Sequence, residues 1–256
     1  MAVTTSPRSA VRWLSDSFQV LRAQPVAYTG VVLFSLLASG ILSSLPLIGL
    51  LLASLWMPYG TVLTGLGARD ALEGKAPSYG VIGKAFADKT VRGRFFAIGM
   101  LSAVWLEIVS AVFAMLGREQ IAQWQVTAEG VDLASIYTNF PTTATAAAFA
   151  LYVPLLMLTA FSPLLVALNR QPFGKSLFYS FFGALRHLPA ILVYLVVLLL
   201  GATLFTLGLE ALFAALGMAS AVAFLAPILM AALSAVSQAG VWAMFRDIFG
   251  ETRIER

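Results

Sequence analysis

Apolar residues in this chain come in long unbroken runs, not in alternation. Runs of about span length occupy 26–45, 46–67, 95–116, 145–168, 189–212 and 219–245, and the polar stretches between them are short. A bilayer's hydrocarbon core is about 30 Å thick, and a helix needs about 20 apolar residues to cross it. Each run therefore predicts one transmembrane helix. Lipid offers the backbone no hydrogen-bond partners, so every span must satisfy its own amides, and the short alternating segments of a membrane β-barrel are not seen. No charge interrupts 26–67, which predicts a tight hairpin turning near Ser43, Ser44, Leu45 and Pro46. The expected fold class is all-α, a polytopic bundle of six transmembrane helices.

The stretches ahead of the first, third and fifth runs have a helical period of their own. In 174–188, Leu177, Phe178, Phe181, Phe182, Leu185 and Leu188 share one face, opposite Lys175, Ser176, Tyr179, Ser180, Arg186 and His187. Near the N-terminus, Val11, Leu14, Phe18 and Leu21 form a similar stripe opposite Ser15, Asp16, Gln19 and Arg22, and 78–90 is a weaker version. Apolar and aromatic residues on one face with cations on the other describe a helix lying in the headgroup plane. The pattern Leu-Arg-x-x-Pro enters both the first span (Leu21 to Pro25) and the fifth (Leu185 to Pro189). Arg-Asp plus two apolar residues leaves both the second (from Arg69) and the sixth (from Arg246). Read together, these predict three parallel repeats of interfacial helix plus hairpin. Chance matching in biased sequence is the alternative.

Composition agrees with the runs. Apolar types make up 60% of the 256 residues and charged types 11%, against roughly 45–50% and 25% in a soluble domain. The formal charge of +4 is distributed informatively. Fifteen of the sixteen Lys and Arg residues fall in 1–25, 69–94, 169–188 and 246–256, which six spans place on one side. The opposite loop, 117–144, holds only Arg118 among Glu119, Glu129 and Asp132. By the positive-inside rule both termini are expected in the cytoplasm, so the cations are topology signals and no nucleic-acid partner is implied. Residues 1–25 lack a signal peptide's pattern, and the run from 26 is expected to stay in the membrane as an anchor. The layout is one membrane domain: an amphipathic N-terminus at 1–25, hairpins over 26–68, 95–168 and 189–245, basic loops at 69–94 and 169–188, an outer loop at 117–144 and a tail at 246–256.

The combination of Trp13, Leu14, Phe18, Leu21, Arg22 and Pro25 with Pro46 to Leu50, Pro58 and Ala68 to Lys75 resembles an uncharacterised family of six-helix proteobacterial inner-membrane proteins. That family is similar in layout to YciC-like proteins and to the membrane domain fused to some glycerophosphoryl diester phosphodiesterases. The resemblance implies a bacterial inner-membrane location. It carries no activity over, since the soluble phosphodiesterase domain has no counterpart here.

Candidate chemistry is sparse. There is no cysteine and one histidine, His187, so no zinc or iron–sulfur ligand set is expected. No G-x-S-x-G elbow occurs, and 67–75 has the wrong glycine spacing for a phosphate loop. No catalytic residue, metal or cofactor is expected. Glu107 and Glu210 are the acidic residues within spans. A carboxylate there costs at least about 2–3 kcal/mol and is by default a functional candidate, although protonation, internal hydrogen bonding or reach to the interface are the plainer readings. Pro58, Pro154, Pro163 and Pro227 are candidate kinks, either freeing carbonyls to line a cavity or serving packing alone. Gly30, Gly40, Gly60, Gly65, Gly67, Gly99 and Gly201 allow close helix approach. Arg22, Lys84, Arg92, Arg94, Lys175 and Arg186 are candidate contacts to anionic lipid headgroups, each contributing about 1 kcal/mol near the surface. Three functions stay open: accommodating or moving a lipid or small hydrophobic molecule, with Glu107 and the kinked helices lining the cavity; a scaffold for another inner-membrane complex; and, least favoured, an intramembrane enzyme.

Overall fold

The computed structural model describes residues 8–76, 80, 83, 87–127, 130–218 and 221–250. The N-terminal helix α1 (Arg8–Ala23) leads into α2 (Pro25–Ser43), which a short turn joins to α3 (Gly49–Leu72). Helix α4 (Lys89–Leu116) follows. Next come short α5 (Arg118–Ile121), a two-residue antiparallel ladder of β1 (Val126–Thr127) on β2 (Gly130–Val131) and α6 (Leu133–Thr138), with Val126 opposite Val131. The chain then runs through α7 (Thr142–Thr159), α8 (Ser162–Asn169), α9 (Phe173–Arg186), α10 (Leu188–Ala215) and α11 (Ala221–Phe249). Among the described residues six helical stretches are long and apolar enough to cross a membrane: α2, α3, α4, α7 with α8, α10, and α11 from Leu225. The all-α polytopic bundle expected from the apolar runs is the fold observed.

Local chemistry sets the boundaries. The first hairpin turns where expected, with Leu47 at φ 66°. Gly49 must be glycine there, because a Cβ would lie 2.3 Å from the Ser43 carbonyl oxygen. Helix α4 begins six residues before the apolar run, since Asp88 caps it by accepting from the amides of Thr90 at 2.8 Å and Val91 at 3.3 Å. The Arg170 guanidinium bonded to Asp88, helped by those amides, holds its carboxyl below the usual carboxylate range. Lys89, Arg92 and Arg94 are thus helical, and Arg94 donates to the carbonyls of Arg170 at 2.7 Å and Gln171 at 3.2 Å.

The fourth span is broken in the middle. Pro163 opens α8, and between α7 and α8 the Ser180 hydroxyl of α9 is wedged into the backbone ladder. It donates to the Met157 carbonyl at 2.8 Å and accepts from the Phe161 amide at 3.0 Å, the two groups that an unbroken helix would join directly. A side chain inserted into the i→i−4 ladder is an established cause of a kink. Pro58, Pro154 and Pro227 lie inside continuous α3, α7 and α11.

Helix α3 is the hub, packed against α1, α2, α4, α8 and α11. Small residues let it in close. A Cβ at Gly99 would sit 2.7 Å from the Leu55 Cα, one at Gly65 2.9 Å from Leu164, and one at Gly60 2.5 Å from the Ser35 hydroxyl. Gly67 faces Tyr28, whereas Gly30, Gly40 and Gly201 have open space around them. The interfacial helices α1 and α9 do not pack chiefly on the hairpins they precede. Helix α9 lies on α7 and α8, and α1 lies on α11 and α10, so the third unit's leading helix is seated on the second unit and the first unit's on the third; most of the stretch 78–90 ahead of the second hairpin lies outside the described residues.

Candidate functional site

The three hairpins differ in how tightly they close. Helices α2 and α3 pack along their length, as do α4 and α7, but α10 and α11 touch sparsely. Of α10 only Ala190 and Tyr194 are buried. At that end Tyr194 ties the pair together. Its ring lies where a Cβ at Gly240 would clash, at 1.9 Å from the hydroxyl, and it donates to the Val236 carbonyl at 3.3 Å. The same hydroxyl is 3.3 Å from that of Ser17 on α1, which donates to the Trp13 carbonyl at 2.7 Å. Beyond Tyr194 the helices part.

The gap is a cleft of about 410 Å³. Leu14, Phe18 and Leu21 of α1 cover one end of it. Its walls are Val197, Leu198, Gly201, Ala202, Phe205 and Thr206 of α10, and on α11 Leu229, Met230, Ala232, Leu233 and Val236. Thr206 is the one lining side chain with a polar atom. Phe205 and Met230 are 60% and 61% exposed, so the cleft opens at the surface, beside the exposed Leu199, Leu200 and Leu204.

Helix α1 is clamped over this cleft by charge. Arg12 bonds both Asp247 oxygens at 2.7 Å, Trp13 Nε1 donates to Asp247 at 3.0 Å, and Arg246 bonds Asp16 at 2.5 Å. The Arg-Asp pair that ends α11 thus meets an Arg and an Asp one turn apart on α1. This contact also brings the two ends of the described chain to the same side. Of the apolar stripe read from the sequence, Leu14, Phe18 and Leu21 turn to the cleft and Val11 is exposed, while Ala10, Trp13, Ser17 and Val20, outside that stripe, form the buried face. On α9 the residues assigned to water are corrected: Ser176 and Ser180 are buried, on the face of Ala184, because small hydroxyl side chains pack as closely as alanine between membrane helices, and His187, just past the helix end, is buried with its Nδ1 2.7 Å from the Gly183 carbonyl oxygen. Phe178, Phe182 and Leu185 are exposed, as a lipid-facing stripe would be.

The cleft brings together none of the expected site residues. Glu107 is exposed. The inward face of α4 is Val91, Phe95, Ile98 and Ser102, and Glu107, sixteen positions past Val91, projects roughly 160° away at 3.6 residues per turn. Glu107 is thus not among the residues that line the cleft between α10 and α11. Glu210 is exposed near the far end of α10. Pro58 is buried in α3, Pro154 half-buried, Pro163 buried at the break, and Pro227 exposed less than one turn before Met230. Arg22, Lys175 and Arg186 are exposed, Arg92 also, and Lys84 lies outside the described residues. Within the bundle, Thr64 donates to the Gln238 side-chain carbonyl at 3.4 Å, a polar contact between α3 and α11 made by two uncharged side chains, which no charge in the sequence marks.

No family model matches the chain, and no solved structure does. Among curated proteins it is similar to a probable inner membrane protein of Burkholderia thailandensis, 28% identical over 97% of this chain and 93% of that protein.

Proposed function

We propose that this is a multi-pass bacterial inner-membrane protein, with both ends in the cytoplasm, that accommodates or moves a lipid or small hydrophobic molecule in the cleft between α10 and α11, without catalysing a reaction. One observation carries the reading: the third hairpin is held apart around an apolar space within the span region. Small-molecule sites measure about 300–1,000 Å³ and are mostly apolar with few polar groups, and this cleft fits that description. Its mouth is continuous with the lipid-facing surface of α10, so hydrocarbon is what reaches it first. No lining residue is ionisable, which suits binding better than acid–base chemistry. The inner-membrane location draws support from the similar Burkholderia protein, and the orientation from the one-sided cations.

The test is retention of ligand. Ala202, on the cleft wall, is replaced by Trp, and lipids that stay with the purified protein through detergent exchange are measured by mass spectrometry. The native chain is expected to keep a bound species in about molar amount and Ala202→Trp to lose most of it, with the melting temperature little changed. Equal lipid content in both would remove the cleft from the function. A second reading, a contact site for another membrane protein, is favoured by Glu107: an exposed carboxylate without a described partner, well inside a span, is costly in lipid and less so against a polar neighbour.

A further inference from the structure

Resting on that reading of the cleft, we infer that its ligand is an anionic amphiphile with a single hydrocarbon chain, the class of a fatty acid or lysophospholipid. The chain lies beneath α1 between α10 and α11, and the charged head lies beside Arg22.

Size argues for a slender ligand. Small-molecule sites measure about 300–1,000 Å³, and a space of about 410 Å³ lies near the small end of that range, which suits one acyl chain better than two. The lining is suited to hydrocarbon over its whole length, with Thr206 the single polar side chain, at the end of the α10 wall furthest from Tyr194. A ligand bearing a polar group in mid-molecule would have no partner for it there.

The position of α1 fixes which end carries the head. The cleft runs from α1 along α10 as far as Thr206, so a chain under α1 points away from the charged end of the bundle. Deeper in there is no cation among the lining residues. At the α1 end the situation reverses. Leu21 is the last residue of α1 to touch the cleft, and Arg22 follows it directly, exposed and with no partner among the described residues. Two neighbouring arginines are already engaged, Arg12 with Asp247 and Arg246 with Asp16. The hydroxyls of Ser17 and Tyr194 are likewise taken up by protein carbonyls at 2.7 and 3.3 Å. Arg22 is therefore the free cation beside the α1 end of the cleft, and it selects a negative head.

Four probes carrying the same photoreactive acyl chain test this on the full-length protein in nanodiscs: a free fatty acid, a lysophosphatidylglycerol, a two-chain phosphatidylglycerol and a neutral monoacylglycerol. The inference expects one or both single-chain anions to label 197–206 and 229–236, with the stronger of the two identifying the head, while the two-chain lipid labels only the outer surface of α10. Arg22→Gln is expected to lower labelling by the anions about fivefold, the factor that one near-surface cation contributes, and to leave monoacylglycerol labelling unchanged. The neutral probe also reports that the variant is folded. Cleft labelling by the two-chain lipid equal to that by the single-chain anions overturns the one-chain inference and leaves the lipid-binding cleft standing. An equal loss for charged and neutral probes overturns the role of Arg22. No labelling of the cleft by any probe overturns this inference and the proposed function together.

Discussion

At the scale of single residues, Ser180 shows how a membrane protein turns a helix break into a joint. Breaking the fourth span strands the Met157 carbonyl and the Phe161 amide away from water, where an unpaired group costs about 1–3 kcal/mol. One hydroxyl serves both, donating to the first and accepting from the second, and in doing so fixes α9 to the break. Ser176 is just as buried but bonds only the Phe173 carbonyl of its own helix. The two serines therefore separate the joint from mere burial of a hydroxyl. Ser180→Ala is expected to destabilise the purified protein by about 1–3 kcal/mol, read as a lowered melting temperature in detergent, and Ser176→Ala by a few tenths at most. Equal shifts in the two variants would mean that the bridge contributes nothing. In the sequence Ser180 shares a face with Lys175 and Arg186 and so reads as water-facing. Periodicity locates a face but does not say whether its polar members meet water or a neighbouring helix, and serine suits both.

At the scale of elements, α1 and α11 form a reciprocal clamp, each supplying an arginine to the other's aspartate. Exposed ion pairs contribute little, typically 0.2–1 kcal/mol, but Asp16 and Asp247 are mostly covered, with 16% and 20% of their side chains exposed, and Trp13 adds a hydrogen bond. The chain has no cysteine, so a single introduced one reports cleanly. Leu14→Cys faces the cleft under α1. Adding Arg12→Asp is expected to speed its modification by a maleimide several-fold, and adding Asp247→Arg to that background to restore the slow rate. If the double reversal stayed as fast as the single one, the pair would not hold α1 down. The existence of α1 was legible from its stripe, and so were the six spans, because a run of about 20 apolar residues has one stable form in lipid. The open third hairpin was not. Helices α10 and α11 carry few polar residues within their spans and these fall into no helical period, so no periodicity marks which face packs, and a cleft wall of Val, Leu and Ala has the composition of a lipid-facing surface.

At the scale of the whole molecule, the three units are joined as a ring, and the ring explains why the least packed hairpin holds the cleft. Of the described leading helices, α9 is seated on the second hairpin and α1 on the third. Helix α1 returns from the first unit to lie across α10 and α11, while α11 also meets α2 and α3. That return requires both ends of the described chain on one side of the membrane, as the Arg12–Asp247 contact places them. It does not say which side. The cations bear on that: fifteen of the sixteen fall in segments that six crossings would put on the side of α1, and the sixteenth, Arg118, is in the opposite loop, among three carboxylates. Held-back cations set orientation through the loops next to the spans, so the ring's closed end is expected in the cytoplasm. The loop with the β1–β2 ladder is expected outside it. An alkaline phosphatase fused after Gly130 should be active, and the same enzyme fused after Arg256 inactive, with a green fluorescent reporter giving the opposite pattern. Two active phosphatase fusions would require an odd number of crossings, which the contact between α1 and the end of α11 does not permit. Reversed activities would keep the ring intact but turn it over, moving Arg22 and the α1 end of the cleft to the outer leaflet.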